Sequence, residues 1–197
     1  MSVVLYGGAF DPVHAGHVFI AREALRLLAP SRLILIPTGS PNPDFDKHLS
    51  ASDADRLAML ALAFAGTAGV EVSDIELTRE PAPSFFADTL DALRPTLGSG
   101  QVVVLLGQDQ LTSFPRWERY QEILRQADLY YVPRAGLNSA SLPAVRATRL
   151  FDVNPFDSLS STLVRTRVQQ GLFVDGLVPT AVAEYIHAHG LYRASVA

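Results

Sequence analysis

Short apolar segments alternate with longer amphipathic segments along most of this chain, and this alternation constrains the fold more than any other feature. The short runs are rich in Val, Ile and Leu, as strands buried on both faces are; they occupy residues 3–6, 33–36, 70–72, 102–106, 129–132 and, more weakly, 150–153. Apolar residues recur at helical spacing between them, over residues 16–28, 54–65, 85–93 and 117–126. Such a βαβα series predicts a mostly parallel sheet with helices on both faces.

The end of the chain differs, because after residue 157 the pattern is purely helical, over residues 160–170 and 179–187. With 197 residues, of which 48% are apolar, the chain can bury a substantial core within one domain that spans residues 1–197. We therefore predict a Rossmann-like, doubly wound α/β fold with a helical carboxyl-terminal tail.

Composition excludes several classes of protein. The net charge of −4 includes no basic run of five or more residues, which argues against binding to a nucleic acid polymer. The absence of cysteine excludes disulfides and thiolate metal sites. No stretch approaches membrane-spanning length and no charged leader precedes the first apolar run, so we expect a soluble cytoplasmic protein without a membrane partner.

The first strand is followed by an unusual connection, GGAFDPVHAGH, at residues 7–17. Gly7 and Gly8 allow the backbone to approach a ligand phosphate, and the free amides at the start of the next helix can hold an anion. His14 and His17 lie about one turn apart on the same helix face. Such a pair can bind a metal, act as general acid and base, or donate hydrogen bonds to phosphate oxygens, and it can also simply cap the helix. The nearby glycines, and the lack of a third metal ligand, favour phosphate.

Two further segments carry polar groups at element ends. Gly107 and Asp109 follow the strand at residues 102–106, where a carboxylate can bind ribose or support Mg²⁺; the alternative is that Asp109 is the N-cap of a helix that begins near Leu111. Three hydroxyl residues at 160–162, with Arg165 one turn later, offer hydroxyls, amides and a guanidinium to a triphosphate. Here the alternative is an ordinary Ser cap followed by a solvated Arg.

Together these segments resemble a known family. GGAFDPVHAGH resembles the GGxFDPxHxGH signature of the nucleotidyltransferase superfamily, and residues 159–165, LSSTLVR, resemble its ISSTxIR signature. Other positions extend the resemblance to bacterial nicotinate mononucleotide adenylyltransferases, which join ATP and nicotinate mononucleotide into deamido-NAD and pyrophosphate; they are residues 55–60, Gly107-Gln108-Asp109, Trp117, Arg134 with Gly136, Tyr185-Ile186 and Gly190-Leu191-Tyr192.

The resemblance implies roles for individual residues. It makes His17 and His14 the catalytic residues, which act on the phosphates of ATP without a covalent enzyme intermediate. It implies that Mg²⁺ bridges oxygens of ATP and has few direct protein ligands. The residues that it assigns to ATP binding are Gly8, Ala9, Phe10, Gly16, Gly107, Asp109, Ser160, Ser161, Thr162 and Arg165.

The resemblance also implies a binding site for a pyridine mononucleotide, formed by Lys47, Ser84, Phe85, Phe86, Trp117 and Arg134. Lys47 is the only lysine among 16 basic residues, although it can equally be a solvated loop charge, and Trp117 can be a helix anchor. Phe86 stands where the family typically has Thr, so the choice between nicotinate and nicotinamide mononucleotide stays open. Another phosphate acceptor and a noncatalytic nucleotide sensor remain alternatives, and the sequence leaves open whether a homo-oligomer forms.

Overall fold

Six parallel strands form the centre of the protein. The computed structural model describes residues 2–40, 49–79, 84–134, 136–137 and 142–194. The strands are β1 (Val3–Gly8), β2 (Arg32–Pro37), β3 (Val70–Val72), β4 (Val102–Gly107), β5 (Asp128–Val132) and β6 (Ala147–Arg149). Their order is β3-β2-β1-β4-β5-β6, and each neighbouring pair is parallel. This arrangement confirms the predicted Rossmann-like α/β class.

Helices cover both faces of this sheet. In the described residues they are α1 (Ala15–Leu28), α2 (Asp53–Ala63), α3 (Phe86–Leu97), α4 (Gln108–Ser113), α5 (Tyr120–Gln126), α6 (Ser161–Gln169) and α7 (Thr180–Ala188). None of them is long and apolar enough to cross a membrane. The last two helices form the predicted carboxyl-terminal tail.

Two separate cores result from the alternation of side chains along the buried strands. Val4 and Leu105 belong to the core under α1, α2, α6 and α7. Leu5, which follows Val4, and Val104, which precedes Leu105, belong to the core under α3, α4 and α5. Because both faces are covered, β1 and β4 read as continuous apolar runs in the sequence, as predicted.

The strand order fixes where a ligand can bind. β1 pairs with β2 on one side and with β4 on the other, and the chain reverses its direction of winding between β1 and β4. In open parallel sheets the crevice at this switch point, outside the carboxyl ends of the strands, is the usual ligand site. Here those ends are Gly8 and Gly107.

Two elements differ from the sequence prediction. The apolar pattern does not predict helix α4, because its six residues are mostly polar and begin directly at the end of β4. The pattern predicts the sixth strand at residues 150–153, but β6 lies at Ala147–Arg149. The apolar run is misleading, since β6 is an edge strand with little buried surface, whereas Val153 is exposed.

Core packing predicts a large difference between two leucines on helices. Leu90 of α3 is fully buried, whereas Leu27 of α1 is 42% exposed. We expect Leu90→Ala to lower the free energy of unfolding by about 2–5 kcal/mol, because it loses apolar burial and leaves a cavity. Leu27→Ala is the matched control and should cost well under half of that. Urea unfolding followed by circular dichroism measures both; equal losses would contradict the assignment of α3 to the core.

Candidate active site

A cleft of about 350 Å³ opens at the carboxyl ends of β1 and β4, at the switch point of the sheet. It brings together the amino-terminal motif, the end of β4 and the start of α6, three segments that are far apart in sequence. The residues that line it are Tyr6, Gly7, Gly8, Ala9, Phe10, Asp11, His17, Ile20, Leu49, Gly107, Asp109, Gln110, Val132, Arg134, Ser161, Thr162 and Arg165.

Glycine is required where the amino-terminal motif turns into α1. A Cβ atom at Gly16 would lie 3.1 Å from the His14 ring and 3.2 Å from Cβ of Phe156, so a side chain there would push both away. At Gly8 a Cβ atom would lie 3.2 Å from the ring of Phe10, which itself has a positive φ of 48°. The motif is therefore folded tightly against the entrance of α1, with Gly8 exposing its backbone to the cleft.

His14 and His17 form a reciprocal pair at the start of α1. The backbone N–H of His17 donates to Nδ1 of His14 at 3.4 Å, and the backbone N–H of His14 donates to Nδ1 of His17 at 3.2 Å. The two rings are stacked with centroids 3.6 Å apart. Since both Nδ1 atoms accept, each neutral ring carries its proton on Nε2. Capping the helix thus leaves one N–H donor on each ring for another partner.

Both histidines are neutral at physiological pH in this state. Burial, reinforced by the Arg134 guanidinium, lowers the pKa of His14 from 6.5 to about 3. Burial, followed by His14 and Arg134, lowers the pKa of His17 well below 6.5. Of the two, only His17 lines the cleft, whereas His14 is 3% exposed behind it. His17 can therefore present an uncharged Nε2–H donor to an anion.

The second motif is joined directly to the first. The Ser161 hydroxyl donates to the carbonyl of Pro12 at 2.9 Å, and Arg165 Nη1 donates to the carbonyl of Asp11 at 2.7 Å. Arg165 Nη2 donates to the Thr162 hydroxyl at 3.2 Å. Ser160 is the N-cap of α6, and its hydroxyl accepts from the N–H of Leu163. For this residue the alternative of an ordinary Ser cap is therefore correct. Ser161, Thr162 and Arg165 face the cleft.

Asp109 and Arg134 form a pair beside the second motif. Asp109 Oδ1 lies 3.5 Å from Arg134 Nε, and Arg134 Nη1 donates to the carbonyl of Leu159 at 3.2 Å. The alternative that Asp109 is an N-cap is wrong, because α4 begins at Gln108 and Gly107 is its N-cap. The resemblance assigns Arg134 to the pyridine nucleotide, and the structure places it in the same cleft as the second motif.

The remaining acceptor candidates lie on the other side of β1. The rings of Phe86 and Trp117 are 5.8 Å apart, and a Cβ atom at Gly7 would lie 3.5 Å from the Phe86 ring. Ser84 donates to the carbonyl of Glu76, and Phe85 is the N-cap of α3 without a side-chain cap. These residues adjoin the floor of the cleft and do not line it. Lys47 lies outside the described residues.

Sequence reasoning missed two buried polar networks. Asp11 of the GGAFDPVHAGH motif, for which the sequence predicted no binding role, is 1% exposed and accepts hydrogen bonds from Ser50, Ala51 and Tyr192. Below the start of α3, Thr89 donates to Glu76 and accepts from Arg79. Burial raises the pKa of Glu76, against the opposing effect of these partners. The only sequence signal for either network was a charged residue next to strongly apolar segments.

The Rossmann-like sheet and a switch-point cleft that holds His17 beside Arg165 are features of the nucleotidyltransferase class. Comparison narrows this class. The sequence model of the cytidylyltransferase-like family matches residues 5–167. A probable nicotinate-nucleotide adenylyltransferase of Dehalococcoides mccartyi is 40% identical, with 96% of each chain covered, and one of Gemmatimonas aurantiaca is 34% identical, with 98% of this chain and 93% of the relative covered. The chain therefore belongs to the cytidylyltransferase-like family, and within it to the nicotinate-nucleotide adenylyltransferases.

A solved structure shares the fold. The nicotinic acid mononucleotide adenylyltransferase of Plasmodium falciparum, complexed with NaAD, superposes with a TM-score of 0.78 over 97% of each chain. Its sequence is only 16% identical, so this likeness concerns the fold.

The buried histidine pair predicts a loss of stability on acidification. In the unfolded chain His14 takes up a proton near pH 6.5, whereas in the folded chain its pKa is about 3. The contribution of neutral His14 to the free energy of unfolding is therefore complete above pH 6.5. It is lost as the pH falls below 6.5, and the loss reaches about 2 kcal/mol at pH 5.

The matched variant is His14→Asn, which keeps a good N-cap and removes the titrating ring. We expect its free energy of unfolding to fall less steeply than that of the wild type when urea unfolding is repeated at pH 7, 6 and 5. Parallel pH profiles for the two proteins would contradict a neutral, buried His14.

Proposed function

We propose that the protein transfers the adenylyl group of ATP to nicotinate mononucleotide. An oxygen of the mononucleotide 5′-phosphate forms a bond to the α-phosphorus, the bond from this phosphorus to the bridging oxygen of the β-phosphate breaks, and pyrophosphate leaves. The products are deamido-NAD and pyrophosphate. The observation that carries the proposal is the direct contact of Ser161 and Arg165 with the backbone of Asp11 and Pro12, beside His17 in one cleft.

This reaction needs charge neutralisation and positioning more than it needs a protein nucleophile. The Nε2–H of His17 donates to an oxygen of the α-phosphate, where negative charge develops. Arg165, with the hydroxyl of Thr162 and the backbone amides at the start of α6, holds the leaving pyrophosphate. The other residues that we propose for ATP binding are Gly8, Ala9, Phe10, Gly16, Gly107, Asp109 and Ser160.

His14 is the second proposed catalytic histidine. The resemblance implies that it reaches the neighbouring phosphates, but in this conformation its ring lies behind His17 and is 3% exposed. The ring stack and the reciprocal hydrogen bonds fix the tautomer and the orientation of His17. His14 thus contributes to the phosphate contacts through His17.

A divalent ion, Mg²⁺, is the proposed cofactor and enters with ATP. When bound, it neutralises charge on the phosphate oxygens. Among the described residues there is no group of three or more His, Cys, Asp or Glu side chains that could hold a metal. Of the two carboxylates in the cleft, Asp109 would be the one to hold the ion, because both oxygens of Asp11 already accept hydrogen bonds, although Asp109 itself lies 3.5 Å from the Arg134 guanidinium.

The pyridine ring is proposed to bind between the cleft and the aromatic pair Phe86 and Trp117. Among the described residues no side chain caps the start of α3, so its first two amides are the proposed donors to an anion such as the nicotinate carboxylate, while the third donates to the carbonyl of Phe85. This arrangement supports nicotinate over nicotinamide without the hydroxyl that Phe86 replaces. Ser84, Arg134 and Lys47 complete the proposed acceptor site.

The relatives support the same acceptor, since their names refer to nicotinate nucleotide. We propose further that residues 1–197 act as one domain and that the activity is located in the cytoplasm, where ATP is available.

A pyrophosphate-release assay tests the proposal. Purified protein is incubated with ATP and Mg²⁺, and with nicotinate mononucleotide, nicotinamide mononucleotide or phosphopantetheine in separate reactions. We expect release with nicotinate mononucleotide and a much lower kcat/KM with the other acceptors. Preference for another acceptor would replace the substrate, and no release with any of them would favour a nucleotide sensor.

The role of His17 predicts a kinetic defect. His17→Ala removes the proposed donor to the α-phosphate, and we expect kcat to fall by about 10²–10³, the usual effect of losing such a donor. Steady-state kinetics with saturating ATP and nicotinate mononucleotide measure it.

Two variants control for indirect effects. His17→Gln keeps an acceptor at the third helical position for the amide of His14, so the fold of α1 is retained while the ring donor is lost. His187→Ala removes an exposed histidine of α7 that does not line the cleft. Near-normal kcat for His17→Gln, or an equal loss in His187→Ala, would contradict the assigned role.

A further inference from the structure

The carboxylate of Asp11 connects the carboxyl-terminal segment to the cleft. The hydroxyl of Tyr192, which follows α7, donates to Asp11 Oδ1 at 2.8 Å. The same carboxylate accepts from the backbone N–H of Ser50 at 2.6 Å and of Ala51 at 3.0 Å. These three hydrogen-bond donors are all uncharged, although a guanidinium lies close by.

That guanidinium belongs to Arg165. Its Nη1 lies 4.0 Å from Asp11 Oδ2, beyond hydrogen-bond distance, and donates instead to the backbone carbonyl of Asp11 at 2.7 Å. Its Nη2 donates to the Thr162 hydroxyl. Arg165 therefore stands beside a buried negative charge without pairing closely with it, and keeps its remaining N–H groups for a ligand in the cleft.

We propose that Tyr192 is a positioning residue for nucleotide binding: by hydrogen-bonding Asp11, it keeps this carboxylate from drawing Arg165 away from the phosphates. The proposal deepens the proposed function and rests on it for the identity of the nucleotide. Without the phenol, Asp11 Oδ1 loses a donor in a buried setting, and the nearest charged donor that can replace it is Arg165.

Two further observations support this assignment. Tyr192 has a φ of 60°, in the left-handed region that a bulky side chain seldom adopts, so its surroundings hold it in place against that cost. Burial, the Asp11 charge and the hydrogen bond to Asp11 all raise the pKa of Tyr192, so that the phenol remains a donor over the whole working range of pH.

The chain supplies a matched control. Tyr185 of α7 also donates its hydroxyl to a carboxylate, Asp55 Oδ1, at 3.0 Å. Asp55 lies in the first turn of α2 and does not line the cleft. Tyr185→Phe and Tyr192→Phe thus remove the same chemical contact from the same end of the chain, and only the second contact leads to Arg165.

The experiment compares both variants with the wild type. We measure the Kd of ATP with Mg²⁺ by calorimetry, the KM of ATP and of nicotinate mononucleotide, kcat and the thermal midpoint of unfolding. For Tyr192→Phe we expect the Kd and KM of ATP to rise about fivefold, as the loss of about 1 kcal/mol of hydrogen bonding implies, with the KM of the acceptor little changed. For Tyr185→Phe we expect nucleotide affinity to match the wild type, whatever its effect on unfolding.

A double-mutant cycle with Arg165→Lys identifies the route. If Tyr192 acts through Arg165, Tyr192→Phe should weaken ATP binding much less in the protein that already carries Arg165→Lys, whereas a merely structural effect would be additive. Unchanged ATP affinity in Tyr192→Phe, an equal change in Tyr185→Phe, or additivity in the cycle would each overturn the proposal.

The calorimetric arm needs no turnover, which separates this proposal from the proposed function. If the wild type binds ATP but releases no pyrophosphate with any acceptor, the proposed function fails, while the Kd values still decide the role of Tyr192.

Discussion

Two hydrogen bonds to the carbonyls of Asp11 and Pro12 join the amino-terminal motif to the start of α6, and the shape of the cleft depends on them. They are donated by Arg165 and Ser161, which the sequence places about 150 positions away. The sheet alone would bring only the ends of β1 and β4 together. Because α6 is attached to the turn that enters α1, the amides and hydroxyls at its start face the same space as His17. The crevice at the switch point is therefore bounded both by the strand ends and by the start of α6.

The sequence predicted what depends on local pattern and on motif. Apolar periodicity predicted the buried strands β1 and β4, the helices between them and the helical tail. Each of these elements buries enough apolar side chains to show a pattern in its own sequence. The sequence pattern missed α4 and placed β6 three residues late, because both elements are short and mostly polar and so give little apolar periodicity. Asp11 shows the same limit at the site, because its role as a buried acceptor depends on residues 50, 51 and 192, which lie far from it in the sequence.

The basic side chains at the cleft are of two kinds, neutral histidines and charged arginines. Burial keeps His14 and His17 neutral, so they supply directed hydrogen bonds and little charge. Positive charge comes from Arg165 and Arg134, each tied to backbone carbonyls that hold the guanidinium in place. Burial of a neutral donor costs less desolvation free energy than burial of a cation. The histidines can therefore be buried under the amino-terminal motif, whereas the two arginines stay partly exposed at the cleft. A polyanion bound there would raise the pKa of His17, since its charge opposes the effect of Arg134.

The acceptor side is built separately from this machinery. Phe86 and Trp117 contact each other and do not line the cleft, so we expect substitutions there to affect the proposed acceptor contacts more than the groups proposed to bind the phosphates. The first amides of α3, which we propose bind the ring carboxylate, belong to the backbone and so do not depend on the side chain at position 86. At position 86 the phenylalanine ring packs against Trp117, with the two ring centroids 5.8 Å apart. In the proposed acceptor site, recognition of a ring carboxylate therefore depends on the backbone at the start of α3 and not on a hydroxyl at position 86.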